Sequence, residues 1–75
     1  MIYDSLLAKN IKQIIAQQGL KQYIVAEKAD IPARDLSAML NGRKQFLTAH
    51  VLPIAQALGV TPNDLFAEEP NPKAG

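Results

Sequence analysis

Seven cations fall between residues 9 and 44: Lys9, Lys12, Lys21, Lys28, Arg34, Arg43 and Lys44. Against them stand only Glu27, Asp30 and Asp35, so this stretch carries +4 in a chain whose formal net charge is +1. Such a gradient either presents a basic face to an acidic partner or is ordinary solvated charge. The groups needed for bond-making chemistry are missing or isolated. His50 is the one histidine and there is no cysteine, which leaves no thiolate, no disulfide and no basis for a metal site. Ser5 and Ser37 have no evident base partner, and neither a Gly-x-Ser-x-Gly turn nor a glycine-rich phosphate loop occurs. Tyr3, Tyr23, Phe46 and Phe66 are scattered, unlike a stacking platform for unpaired bases. The chain therefore reads as a non-enzymatic binding protein without cofactor or metal.

The elements that must position these cations are helices. With 75 residues, 48% of them hydrophobic, the chain suffices for one small folded core. No apolar run reaches the roughly 18 residues of a membrane span. The opening residues lack the basic stretch and apolar block of a signal peptide, so a cytoplasmic protein is expected. Leu7, Ile11, Ile14 and Ile15 recur at helical spacing and predict a helix over about 5–18, capped by Asp4 or Ser5 and ended by Gly19. A second short helix runs from Lys21 to Ala29, and a third starts near Pro32 and ends at Asn41-Gly42, with Leu36, Met39 and Leu40 as its buried stripe. Residues 43–47 read as a loop. Thr48 is expected to cap a fourth helix to Leu58, within which Pro53 should cause a kink or a late start. Thr61-Pro62-Asn63-Asp64 opens a fifth, with Thr as cap, Pro at the first position and an acid in the first turn. Leu65 and Phe66 then fold that turn back on the core. The expectation is an all-α, compact five-helix bundle over residues 1–67 and a flexible C-terminal tail over 68–75.

Two short helices joined by a turn of three or four residues make a helix-turn-helix pattern. Within it, Ala26 stands where the helices must cross closely, and Asp30 stands in the turn, where a left-handed residue is often needed. Val25, Ala29, Ile31, Leu36 and Met39 supply the buried contacts. A helix fits the major groove of DNA, where each base pair shows a distinct edge pattern, and residues in its first turns reach those edges. Arg34 either reads guanine or is a solvated surface charge. Asp35 either accepts from cytosine or favours the helix start.

Residues 22–44, QYIVAEKADIPARDLSAMLNGRK, resemble the motif of the lambda repressor and Cro family, also called the XRE-like helix-turn-helix. The segment AQALGVTPNDLF at 55–66 is similar to that family's fourth and fifth helices, so the resemblance spans roughly residues 8–66. It implies a sequence-specific regulator of transcription, repressor-like, that binds double-stranded DNA as a homodimer through its third helix. By the same resemblance, Pro32, Ala33, Arg34, Ser37 and Ala38 would read bases. Gln22, with Lys21 beside it, and Asn41, Arg43 and Lys44 would contact phosphates. The chain departs from the family pattern at Asp30 (commonly Gly), Pro32 (commonly Ser or Thr), Ala33 and Ala38 (often long polar readers) and Pro53. The two alanines and the low net charge leave an alternative, an adaptor or antitoxin-like protein-interaction module on the same fold. Val60, Leu65 and Phe66 either form the dimer surface or close the core.

Overall fold

The computed structural model describes residues 2–67, with side chains described from residue 5 onward; the expected tail over 68–75 lies outside the described residues. Among the described residues five helices follow one another: α1 (Ile2–Gln18), α2 (Gln22–Ala29), α3 (Ala33–Leu40), α4 (Thr48–Leu58) and α5 (Pro62–Leu65). This is the expected all-α five-helix bundle.

The core takes the apolar stripe of every helix. Ile11, Val25, Leu36, Met39, Ile54 and Leu65 are fully buried and come from all five helices. Burying one such side chain is worth roughly 1.5–3 kcal/mol. α2 packs on α3 and α4, α1 on α3 and α5, and α4 on α5. Ala26 is 1% exposed, and the five residues expected to stabilise the motif (Val25, Ala29, Ile31, Leu36 and Met39) are all buried.

One closure ends the four long helices. A residue with positive φ follows each: Gly19, Asp30, Gly42 and Gly59. The next backbone N–H then donates five residues back, from Leu20 to Ile15 (3.2 Å), Ile31 to Ala26 (3.0 Å), Arg43 to Ala38 (2.8 Å) and Val60 to Ala55 (3.0 Å). Asp30, at φ 60°, is the one non-glycine in this set, and aspartate tolerates that conformation better than most. In three closures the donor residue is apolar and packs on the core: Leu20, Ile31 and Val60. In the fourth it is Arg43, which is exposed.

The helix starts depart from expectation in several places. α1 begins at Ile2, so Asp4 and Ser5 lie inside it rather than at its start. Pro32 is not helical: with ψ 135° it is the cap residue before α3, its carbonyl accepting from the N–H groups of Asp35 (2.9 Å) and Leu36 (3.0 Å). Thr48 is the first residue of α4 rather than its cap; Leu47 is in the cap position, and its N–H donates to Nδ1 of His50 at 3.3 Å. Nor does Pro53 delay α4, which starts at Thr48 and runs through it. The carbonyl that loses its donor belongs to Ala49, which is exposed and can bond to water. α5 follows the sequence reading: Thr61 Oγ1 accepts from the Asp64 N–H (3.3 Å) and Asp64 Oδ2 accepts from the Thr61 N–H (3.0 Å).

The end of α5 separates the two alternatives left open for its apolar residues. Leu65 is 0% exposed and belongs to the core, which removes it from any dimer surface, whereas Phe66 is 38% exposed and does not close the core as Leu65 does. α5 is a single turn, so only one of two adjacent apolar residues can point inward.

Candidate nucleic-acid interface

α3 buries one side and shows the other. Leu36, Met39 and Leu40 face the core. At 3.6 residues per turn, Arg34 and Ala38 lie one above the other on the opposite side. Pro32, Ala33 and Arg34 are exposed, while Ser37 and Ala38 are half-buried along the flank. Asp35 is half-buried in the first turn, where its charge favours the helix start.

The starts of α2 and α3 carry no side-chain cap. Lys21, the cap residue of α2, makes no such hydrogen bond, and neither does Pro32 before α3. Leu47 before α4 likewise offers no side-chain acceptor, although its own N–H is taken by His50, whereas α5 has a reciprocal cap. The first N–H groups of both motif helices are therefore open to an outside acceptor, and helix starts favour anions. Lys21 and Gln22 are both exposed beside the first of them.

The segment after α3 is held rigidly at its start. Asn41 donates its backbone N–H to the Ser37 carbonyl at 3.0 Å, and its Nδ2 donates to Ser37 Oγ at 3.4 Å. A candidate base reader and a candidate phosphate ligand are thus linked directly. Gly42 (φ 81°) turns the chain, and the Arg43 N–H closes back on Ala38. Asn41, Arg43 and Lys44 then line a groove of about 450 Å³ whose other wall is α1. Lys21, Gln22 and Arg34 do not line it.

Sequence reasoning counted two residues of this groove in the basic stretch but assigned them no phosphate contact. Lys9 and Lys12 come from α1 and lie across from Arg43 and Lys44. Their spacing of three on the polar side of α1 was the available signal. It overlooked two amides that set the position of α1. Asn10 is 8% exposed, and its Nδ2 donates to the carbonyls of Leu65 (2.8 Å) and Ala67 (2.7 Å). Gln18 Nε2 donates to the Leu58 carbonyl at 2.7 Å. Asn10 could have been noticed as a polar residue on the stripe of Leu7, Ile11 and Ile14.

Among the described residues no three His, Cys, Asp or Glu side chains converge as a metal site would require, and no helix is long and apolar enough to cross a membrane. The arrangement offers exposed donors and cations around one short helix, which suits binding to a polyanion.

Comparison with curated proteins and with solved structures returned no match. Comparison with protein families did: the Cro/C1-type HTH DNA-binding domain matches residues 10–71, which takes in all of α2 to α5 and most of α1. The match, the uncapped motif helices and the helix-turn-helix geometry agree, and the chain belongs to the Cro/C1-type helix-turn-helix DNA-binding family.

Proposed function

We propose that this protein is a sequence-specific, repressor-like regulator of transcription. It acts in the cytoplasm, is not an enzyme, and binds as a homodimer with residues 1–67 as the working domain. α3 enters the major groove, where Arg34 bonds to guanine, Ser37 bonds to either class of base, and Ala33 and Ala38 pack on thymine methyl groups beside Pro32. The N–H groups at the starts of α2 and α3, with Lys21 and Gln22, hold phosphates on one side of the reading helix. Asn41, Arg43 and Lys44 hold them on the other. The observation that carries this reading is the pair of uncapped helix starts flanking an α3 whose outward side presents Arg34. One module of this size makes a small footprint, and a dimer would double it. Phe66, 38% exposed, contributes apolar surface to the dimer contact, whereas Val60 packs on the core.

The test is selection from a random duplex pool at near-physiological salt, for the wild type and for Arg34→Ala. A two-fold related motif with half-sites about 34 Å apart is expected, with one G·C position blurred in the variant. No enrichment, with weak binding that falls steeply with salt, would reject sequence-specific reading. The adaptor reading would then take its place, on the strength of the exposed Tyr23, Leu47 and Leu52.

A further inference from the structure

The groove between α1 and the segment after α3 holds Lys9, Lys12, Arg43 and Lys44, and no aspartate or glutamate among the described side chains lines it. All four cations are exposed. Four like charges around one cavity of about 450 Å³ repel one another, and an open, solvated rim only partly screens them. An anion in the groove turns that repulsion into attraction.

The chemistry of the lining says which anion. A small enclosed anion needs buried donors arranged around it, and here the charges sit at an open rim. A rod of evenly spaced phosphates meets such a rim well. Lys9 and Lys12, three residues apart, rise about 4.5 Å along α1. Successive phosphates of one DNA strand advance about 3.4 Å along the duplex axis and lie farther apart through space, a spacing that two long, flexible lysine side chains can span. The groove is also continuous with α3: Leu40 is in its wall, and Arg43 is tied back to Ala38. Arg43 is the single helix-closing residue of its kind that does not pack on the core, so its side chain has no share in holding the fold.

We infer that Lys9 and Lys12 of α1 complete, with Arg43 and Lys44, a clamp on the phosphodiester backbone that flanks the bases read by α3. This rests on the DNA-binding reading above and adds α1 to its contact surface. The clamp contributes affinity and salt dependence, and no sequence preference.

The test measures affinity for a random-sequence duplex pool against salt concentration, for the wild type, the double variant Lys9→Gln/Lys12→Gln, the charge-preserving Lys9→Arg/Lys12→Arg, and Lys28→Gln as a cation outside the groove. Each phosphate contact contributes about 0.9 to the slope of log K against log salt, so the double Gln variant should lose about 1.8. Between 50 and 200 mM salt its affinity should then fall about twelvefold less than that of the wild type. The Arg variant should keep the wild-type slope, and Lys28→Gln should leave it nearly unchanged. A Gln variant that is folded by circular dichroism and keeps the wild-type slope would overturn the clamp while leaving the DNA-binding reading intact. So would a Lys28→Gln loss per charge as large as that of the double variant. A wild type that binds no duplex at any salt would overturn the underlying reading and the clamp with it.

Discussion

Asn10 joins α1 to the far end of the chain through two hydrogen bonds, and replacing it tests whether that link positions the helix that carries Lys9 and Lys12. Both partners are carbonyls, those of Leu65 and Ala67, so the amide nitrogen must be the donor to each. Asn10→Leu keeps the branched skeleton though not the volume, removes both donors and leaves two acceptors short of partners, one on the fully buried Leu65. At about 0.5–1.5 kcal/mol for each lost bond, the expected cost is about 1–3 kcal/mol. In a chain of this size that lowers Tm by about 4–8 °C per kcal/mol. Asn10→Asp is nearly isosteric and should cost more at neutral pH. An ionised carboxylate only accepts, and it would face two carbonyl oxygens with no donor between them. Its neutral form can donate once, so folding raises the introduced carboxyl's pKa above its unfolded value of about 3.9. A raised folded pKa means that the native state holds the proton more tightly. The contribution to stability is then fully present below the unfolded value and is lost as pH rises through the folded one. Urea titrations followed by far-UV circular dichroism at pH 7 and pH 4 measure this directly. Asn10→Asp should lose its disadvantage relative to Asn10→Leu at the lower pH. An Asn10→Asp variant within about 0.5 kcal/mol of wild type at pH 7, the range of an ordinary surface change, would refute the argument.

Three further outcomes follow from the helix-turn-helix itself. Ala26→Leu forces a larger side chain into a site that is 1% exposed at the α2–α3 crossing, and should cost about 1–3 kcal/mol in urea midpoint, with duplex affinity falling in parallel. Asp30→Gly should hold stability level or raise it by up to about 1 kcal/mol, because relief of the left-handed backbone at φ 60° outweighs or matches glycine's larger entropy loss on folding. Asp30→Val, by contrast, should destabilise, and the same urea titrations distinguish the two.

The features already readable in the sequence are those set by interactions within one helical turn. Apolar spacing marked the sides of the helices that now face the core, and the left-handed residues Gly19, Asp30, Gly42 and Gly59 marked where four of them stop. Thr61, Pro62 and Asp64 specified the start of α5 through bonds spanning three residues. Even locally, the rule could not choose between adjacent polar residues. Asp4 and Ser5 both read as the start of a helix that in fact begins at Ile2, and Thr48 gave way to a bond from the Leu47 N–H to His50. What the tertiary structure decided is what meets across the chain. Packing of α1 on α3 brings Lys9 and Lys12 beside Arg43 and Lys44, more than thirty positions away. Packing against α1 and α4 turns Leu65 inward and leaves Phe66 partly exposed, and it gives the Asn10 amide the Leu65 and Ala67 carbonyls as partners. Helical propensity and capping act over three or four residues, and so they are written in short stretches of sequence. The juxtaposition of distant charges and amides follows from how the apolar stripes share one core, and no short stretch contains it.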